Sequence, residues 1–247
     1  MHPYTFFALV ERDLDLQNPM DPGALDVLAT ACGVGADTRV LDVGAGKAAL
    51  LRRWAVLHGA RGTGLEVNPA FVAQARERAR RDGVHELVTM IEGPADAFAP
   101  DPAGYDVVAC LGAPFALGGF DAAVRWMRAA LRPGGRLVVG DRYLARPFEH
   151  VPADADAEIA ELPDLSGVGR RLAGEGLSVT AMIGSSRSDW DRYVSAWWTA
   201  AHDWAEANPG HPERAELLAG IAEGRDRYLR WERDHVGWAA WVARPEV

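Results

Sequence analysis

A doubly wound α/β sheet of seven strands, with a helical cap inserted before the last strand, is the fold this sequence predicts. Three observations carry that expectation. Short aliphatic runs alternate with helix-periodic segments along the first 140 residues. A glycine turn, Gly44-Ala45-Gly46, follows the first such run and opens into a helix. Two long, aromatic helical patterns then separate the last two strand-like runs. Alternation of this kind buries a mostly parallel sheet between helices.

The strand signals are Arg39–Val43, Gly62–Leu65, Leu87–Ile91, Tyr105–Leu111, Arg136–Gly140, Leu177–Ile183 and Trp238–Ala243. The first helix opens at Asp21-Pro22 and stops before Gly33, the expected placing of a cap, an early proline and a terminal glycine. Lys47–His58 presents Leu50, Trp54 and Leu57 on one face. Asn68-Pro69 starts a helix that buries Phe71, Val72, Ala75 and Ala79 and ends at Gly83. Asp121 caps the next, with Val124, Met127 and Leu131 inward and Pro133-Gly134-Gly135 as a stop. Residues 141–176 read as a mobile loop with one helix. Ser188–Ala207 and Pro212–His235 follow, broken at Asn208-Pro209-Gly210. The expected organisation is a single domain, residues 1–247. It comprises N-terminal helices (1–38), a ligand-binding core (39–145) and a substrate-side half (146–247) with cap helices over about 188–235.

Composition excludes several classes. The chain is 49% hydrophobic and 25% charged, as folded soluble proteins are. A net charge of −9 argues against nucleic acid or an anionic membrane as partner. No apolar run is long enough to span a bilayer, and the start lacks a secretory pattern. With two cysteines, Cys32 and Cys110, a cytoplasmic location is expected. The seven histidines form no ligand-spaced pair, so no metal site is expected. Arg76, Arg78, Arg80 and Arg81 are interleaved with Glu77 and alanines and read as a solvated helix face. Lysine occurs once, at Lys47, and tryptophan nine times, seven of them between Trp190 and Trp241.

The most informative segment is Val40-Leu41-Asp42-Val43-Gly44-Ala45-Gly46. A strand ending in G-x-G before a helix lets a ligand approach the backbone. Asp42 would repel a pyrophosphate there and favour a cationic ligand such as S-adenosylmethionine. Alternatively, it caps a turn. Glu66 ends the second strand about 20 residues beyond the glycines, where an acid accepts ribose hydroxyls. That device also serves nicotinamide cofactors.

These residues, with Tyr105–Cys110 and Leu131-Arg132-Pro133-Gly134-Gly135-Arg136-Leu137, resemble the successive motifs of class I S-adenosylmethionine-dependent methyltransferases, whose sheet is Rossmann-like. Cys110-Leu111-Gly112-Ala113, Gly118-Gly119-Phe120, Ser188–Tyr193 and Gly237-Trp238-Ala239 are similar to a bacterial group of small, mostly uncharacterised methyltransferases. The resemblance implies that Asp42, Gly44, Ala45 and Gly46 hold the methionine end of S-adenosylmethionine. It assigns Glu66 to the ribose, Val67 to the adenine face, and Leu111 and Gly112 to the methyl side. Two positions depart from the family pattern. Ala48 replaces a glycine, a change expected only to tighten the helix start. Gly93-Pro94-Ala95-Asp96 replaces Gly-Asp-Ala, so either Asp96 or the Ala95 backbone meets the adenine.

Methyl transfer needs alignment and dryness, and a base where the acceptor carries a tightly held proton. Candidates after the fourth and fifth strands are Cys110, Asp141, Tyr143 and His150. The segment Cys110–Phe115 lacks the Asn/Asp-Pro-Pro motif of many amino-methylating enzymes. Trp190, Tyr193, Val194, Trp197, Ala201 and Trp204 make one helical stripe, which either glues the cap down or lines an aromatic acceptor pocket. Tyr4–Val10 is placed to close the other side. The expected activity is methylation of a small molecule. An NAD(P)-dependent oxidoreductase, an RNA or protein methyltransferase, and a non-catalytic binding module stand as alternatives.

Overall fold

A computed structural model of the chain describes residues 1–101, 104–155 and 157–246. Its strands are β1 (Arg39–Val43), β2 (Arg61–Glu66), β3 (Val88–Glu92), β4 (Tyr105–Leu111), β5 (Leu131–Leu144), β6 (Leu177–Gly184) and β7 (Val236–Pro245). They form one sheet in the order β3-β2-β1-β4-β5-β7-β6. β1 to β5 pair in parallel, and β7 enters antiparallel between β5 and β6. The chain builds outward from β1 to β3 and then returns to place β4 beside β1. At that reversal the helices that follow β1 and β4 pack into the two different cores on either side of the sheet, which places a ligand crevice at the strand ends.

Local chemistry explains the flanking helices. Asn68 caps α4 (Pro69–Arg81) by accepting the Ala70 N–H at 3.1 Å. The buried residues of α4 are Phe71, Val72, Ala75 and Ala79, the face the periodicity predicts. Its arginines serve the protein itself: Arg76 donates to the Met90 carbonyl, Arg78 pairs with Asp15, and Arg80 pairs with Glu77. α2 spans Ala24–Cys32 and ends at left-handed Gly33.

Other boundaries differ from expectation for definable reasons. Asp21 and Pro22 lie in a turn ahead of α2, where the Asp21 carboxylate takes the Gly23 N–H at 2.7 Å. Asp121 does not cap α5 (Phe120–Ala130); Gly119 stands at that end, and Asp121 accepts from Arg171 at 2.7 Å. Pro133-Gly134-Gly135 does not separate helix from strand, because β5 begins at Leu131 and carries the turn as a register shift against β4. The 141–176 segment is more ordered than a loop. It holds the end of β5, a single turn α6 (Ala157–Ala160) and α7 (Leu165–Gly174), the last capped by Asp164.

Between β6 and β7 lie α8 (Arg187–Ala207), α9 (Arg214–Arg227), a π-helical turn (Tyr228–Glu232) and α10 (Arg233–His235). Ser186 and Asp189 form a reciprocal capping box at the start of α8. The π turn interrupts what periodicity reads as one helix, and both Tyr228 and Trp231 are buried there. α1 (Pro3–Val10) packs on this insertion, with Val10, Ala201, Leu217 and Ile221 as their shared core. Phe6, Trp197, Trp198 and Trp204 surround it.

Candidate functional site

The loop between β1 and α3 (Ala49–His58) is built from left-handed residues. Gly44, Gly46 and Ala48 have φ of +68°, +54° and +58°. A side chain at Gly44 would strike the methyl of Ala113, so glycine there lets the loop after β4 close on the loop after β1. Ala48 is the single non-glycine residue with positive φ among the described residues. Its replacement of glycine therefore does more than tighten the helix start. It stores strain of about 1–2 kcal/mol, and α3 begins at Ala49 instead of Lys47.

Two acids meet this loop. Glu66 accepts the Gly46 N–H at 2.9 Å and the Asn68 N–H at 2.7 Å, one on each oxygen. Burial pushes its carboxyl up, while these backbone donors pull it back. Glu66 thus fixes the glycine turn to the start of α4. Asp42 is 4% exposed, and its carboxylate has no hydrogen-bond or ion-pair partner among the described residues. Burial, and then the neighbouring Glu66, push its carboxyl up to about 8. A buried acid left without a donor is costly, and it suits a cationic group arriving from outside.

The acids open on a cavity of about 390 Å³. Asp42, Gly44, Ala45, Gly46, Glu66, Val67, Ala95, Leu111 and Gly112 line it. Asp96 does not. It lies on the exposed side of the short turn Ala95–Ala97, while Ala95 faces inward.

The other wall is a segment to which sequence reasoning assigned no role, residues 11–18. Lys47 is 1% exposed. Its ammonium donates to the carbonyls of Glu11, Arg12 and Leu14 at 2.5, 3.1 and 2.7 Å. Gln17 accepts the Lys47 N–H at 2.8 Å and donates to Glu11 at 2.6 Å. The lone lysine therefore pegs an N-terminal strap across the cavity. Its isolation in the composition was the available signal, but its partners are backbone carbonyls and leave no trace in side-chain identity.

A second cavity, of about 1140 Å³, adjoins the first. Phe7, Gln17, Asn18, Gly112 and Tyr193 border both. Trp190, Tyr193, Val194, Trp197 and Trp198 of α8 line the larger one, with Trp238 of β7. Of the predicted catalytic candidates, Asp141 faces this space, and burial raises its carboxyl. Tyr143 lines neither cavity. It packs over Gly237 and edge-on to Trp241 at 6.1 Å. His150 is exposed and also lines neither. Cys110 is fully buried in the core, where burial raises its thiol further. The described residues contain no cluster of metal-binding side chains.

Comparison with known proteins gives this site a context. A family model described as a methyltransferase domain matches residues 40–135. The chain is 31% identical to the uncharacterised protein YjhP of Escherichia coli, over 96% of each chain. It is also 31% identical to an S-adenosylmethionine-dependent methyltransferase of Geobacter sulfurreducens, solved with S-adenosylhomocysteine. That structure superposes with a TM-score of 0.89 over 98% of both chains. A ubiquinone biosynthesis O-methyltransferase of Xanthomonas euvesicatoria is 30% identical over 57% of this chain and 66% of its own length.

Proposed function

This chain belongs to the class I S-adenosylmethionine-dependent methyltransferases, and on that premise we propose that it methylates a small, largely aromatic molecule held in the larger cavity. The observation that carries the reading is the adjoining pair of cavities, a small one with two buried acids and a large one walled by tryptophans. When bound, S-adenosylmethionine supplies a methyl group on a positively charged sulfur.

The chain's residues divide the remaining work. Asp42, ionised on binding, neutralises the ammonium of the methionine end. Glu66 holds the glycine turn and accepts from the ribose with its remaining lone pairs. Val67 and Ala95 flank the adenine, and Leu111 and Gly112 border the reacting end. Residues 146–247, with their helices over about 188–235, form the substrate-side half. α1, the strap and α8 exclude water from the join, which favours transfer over side reactions. Asp141 faces the acceptor space and serves there as a polar contact.

An RNA is disfavoured as acceptor by the net charge of −9, and a folded protein by the helices α1 and α8 that wall the cavities. Among the described residues no helix is long and apolar enough to cross a membrane, and we place the enzyme in the cytoplasm.

Glu66→Ala is expected to weaken S-adenosylhomocysteine binding by about 1.5–3 kcal/mol, because a charge-assisted contact is lost. Calorimetric titration measures this; unchanged affinity would count against the assignment. The acceptor class is tested with methyl-labelled S-adenosylmethionine and a cell lysate separated by size. Label is expected in molecules below about 1 kDa, consistent with a cavity of drug-sized scale. Label confined to RNA or protein would overturn the reading.

A further inference from the structure

Tyr193 stands where the two cavities meet, since it borders both. Its ring is flanked along α8 by Trp190 and Trp197, with ring centroids 6.3 and 5.5 Å away. Its hydroxyl donates to Glu11 Oε1 at 2.8 Å, and Glu11 Oε2 accepts from Gln17 at 2.6 Å. Glu11, just beyond α1, is 5% exposed and also borders the cofactor cavity. A buried carboxylate with two neutral donors is an expensive way to tie a strap to a helix. The strap is already tied to α8 by Arg12, which pairs with Asp203 at 2.6 Å.

We propose that Tyr193 is a catalytic residue that receives the hydroxyl proton of an aromatic acceptor and passes its own proton to Glu11. The inference rests on the methyltransferase reading above and names the acceptor's class, a phenol-like compound. As the acceptor oxygen bonds to the methyl carbon, the carbon–sulfur bond breaks and its electron pair stays on sulfur. The acceptor's proton moves to the Tyr193 oxygen while the Tyr193 proton moves to a Glu11 oxygen. The products are a methyl ether, a neutral thioether and a protonated Glu11, which gives its proton to water before the next turnover.

The chemistry of the pair favours this acceptor. A phenolic proton is held about as tightly as that of tyrosine itself, so exchange between the two is nearly balanced. A thiol ionises closer to neutrality and needs no such relay. The charges facing Glu11 are the ammonium of Lys47, which lowers its carboxyl, and Glu66, which raises it. Burial raises it more than either, making Glu11 a stronger base than an exposed glutamate. Burial and Glu11 together keep the Tyr193 hydroxyl protonated.

The test uses 2-naphthol, whose emission distinguishes an intact hydroxyl from one that has handed its proton to a neighbour. Bound to the complex of the wild-type protein with S-adenosylhomocysteine, it is expected to show naphtholate emission. With Tyr193→Phe, which keeps the ring, the neutral band is expected, and Glu11→Gln is expected to behave alike. S-adenosylhomocysteine affinity in these variants is measured in parallel. Turnover adds a second readout: Tyr193→Phe is expected to slow methylation of 2-naphthol by about 100-fold or more. Methylation of 2-naphthalenethiol is expected to slow by a clearly smaller factor than that of 2-naphthol, because its sulfur ionises without the relay. Equal emission and equal naphthol rates in wild type and Tyr193→Phe would overturn the proton relay while leaving a small-molecule methyltransferase. No S-adenosylhomocysteine binding by the wild-type protein would overturn both.

Discussion

Lys47→Met is expected to lower folding stability by about 3 kcal/mol, since three carbonyls lose a charged donor together. Methionine fills much the same volume, so the effect isolates the ammonium. Its bonds to Glu11, Arg12 and Leu14 hold residues 11–18 across the cofactor cavity. Released from them, the strap also loses the Gln17 bond to the Lys47 backbone and the Glu11–Tyr193 contact. Affinity for S-adenosylhomocysteine should fall with stability, by about tenfold or more, as an ordered wall becomes one that binding must order. Urea unfolding and calorimetry measure the two effects. A variant with wild-type stability and affinity would show that the strap is held by other contacts.

Asp42→Asn is expected to separate stability from function. The folded protein keeps the Asp42 proton to about pH 8, whereas the unfolded chain releases it near pH 4. The unfolded state therefore binds fewer protons across that window, and the Asp42 contribution to stability declines as pH rises from about 4 to about 8. Asparagine removes this slope, so the ligand-free variant should be the more stable protein at pH 8. Cofactor binding runs the other way. The ammonium of the ligand needs the carboxylate, so affinity should climb as pH rises toward 8 and then level off. Below that point, binding should release a proton. Asp42→Asn should lose about 3 kcal/mol of affinity at pH 8, as when one member of a buried ion pair is removed, together with the proton release. Calorimetry in buffers of different ionisation enthalpy reads both. Binding that is as tight in the variant, with no proton released by wild type, would remove Asp42 from the ligand.

Much of the fold was legible because its signals are local. The buried face of α4 follows from residues three and four apart, and β1 and β4 begin and end where their aliphatic runs do. Much of the lining of the smaller cavity was legible too, since many of its residues lie at strand ends that motif spacing marks. Of the two residues read as meeting the adenine, Ala95 lines the smaller cavity and Asp96 is exposed on the same short turn. Tyr143 shares the Asp141 face of β5, but two residues further on it packs over Gly237 and against Trp241, and His150 lies exposed in the loop after β5. The Glu11–Tyr193 contact spans 182 residues. No periodicity or spacing relates residues so far apart, and neither sits in a recognisable constellation. The tryptophan surplus gave the better clue. It marked α8 as a wall of the larger cavity, although which side of that wall stayed open depended on where α1 packed.

We place the cofactor in the acidic cavity with its reacting end toward the tryptophan-lined one. A crystal structure with S-adenosylhomocysteine tests it most directly. The ligand's amino group is predicted on Asp42, its ribose beside Glu66 and its adenine between Val67 and Ala95. Its sulfur is predicted at the neck bordered by Gly112, Asn18 and Tyr193. A sulfur turned away from that neck, or an adenine in its place, would contradict the account.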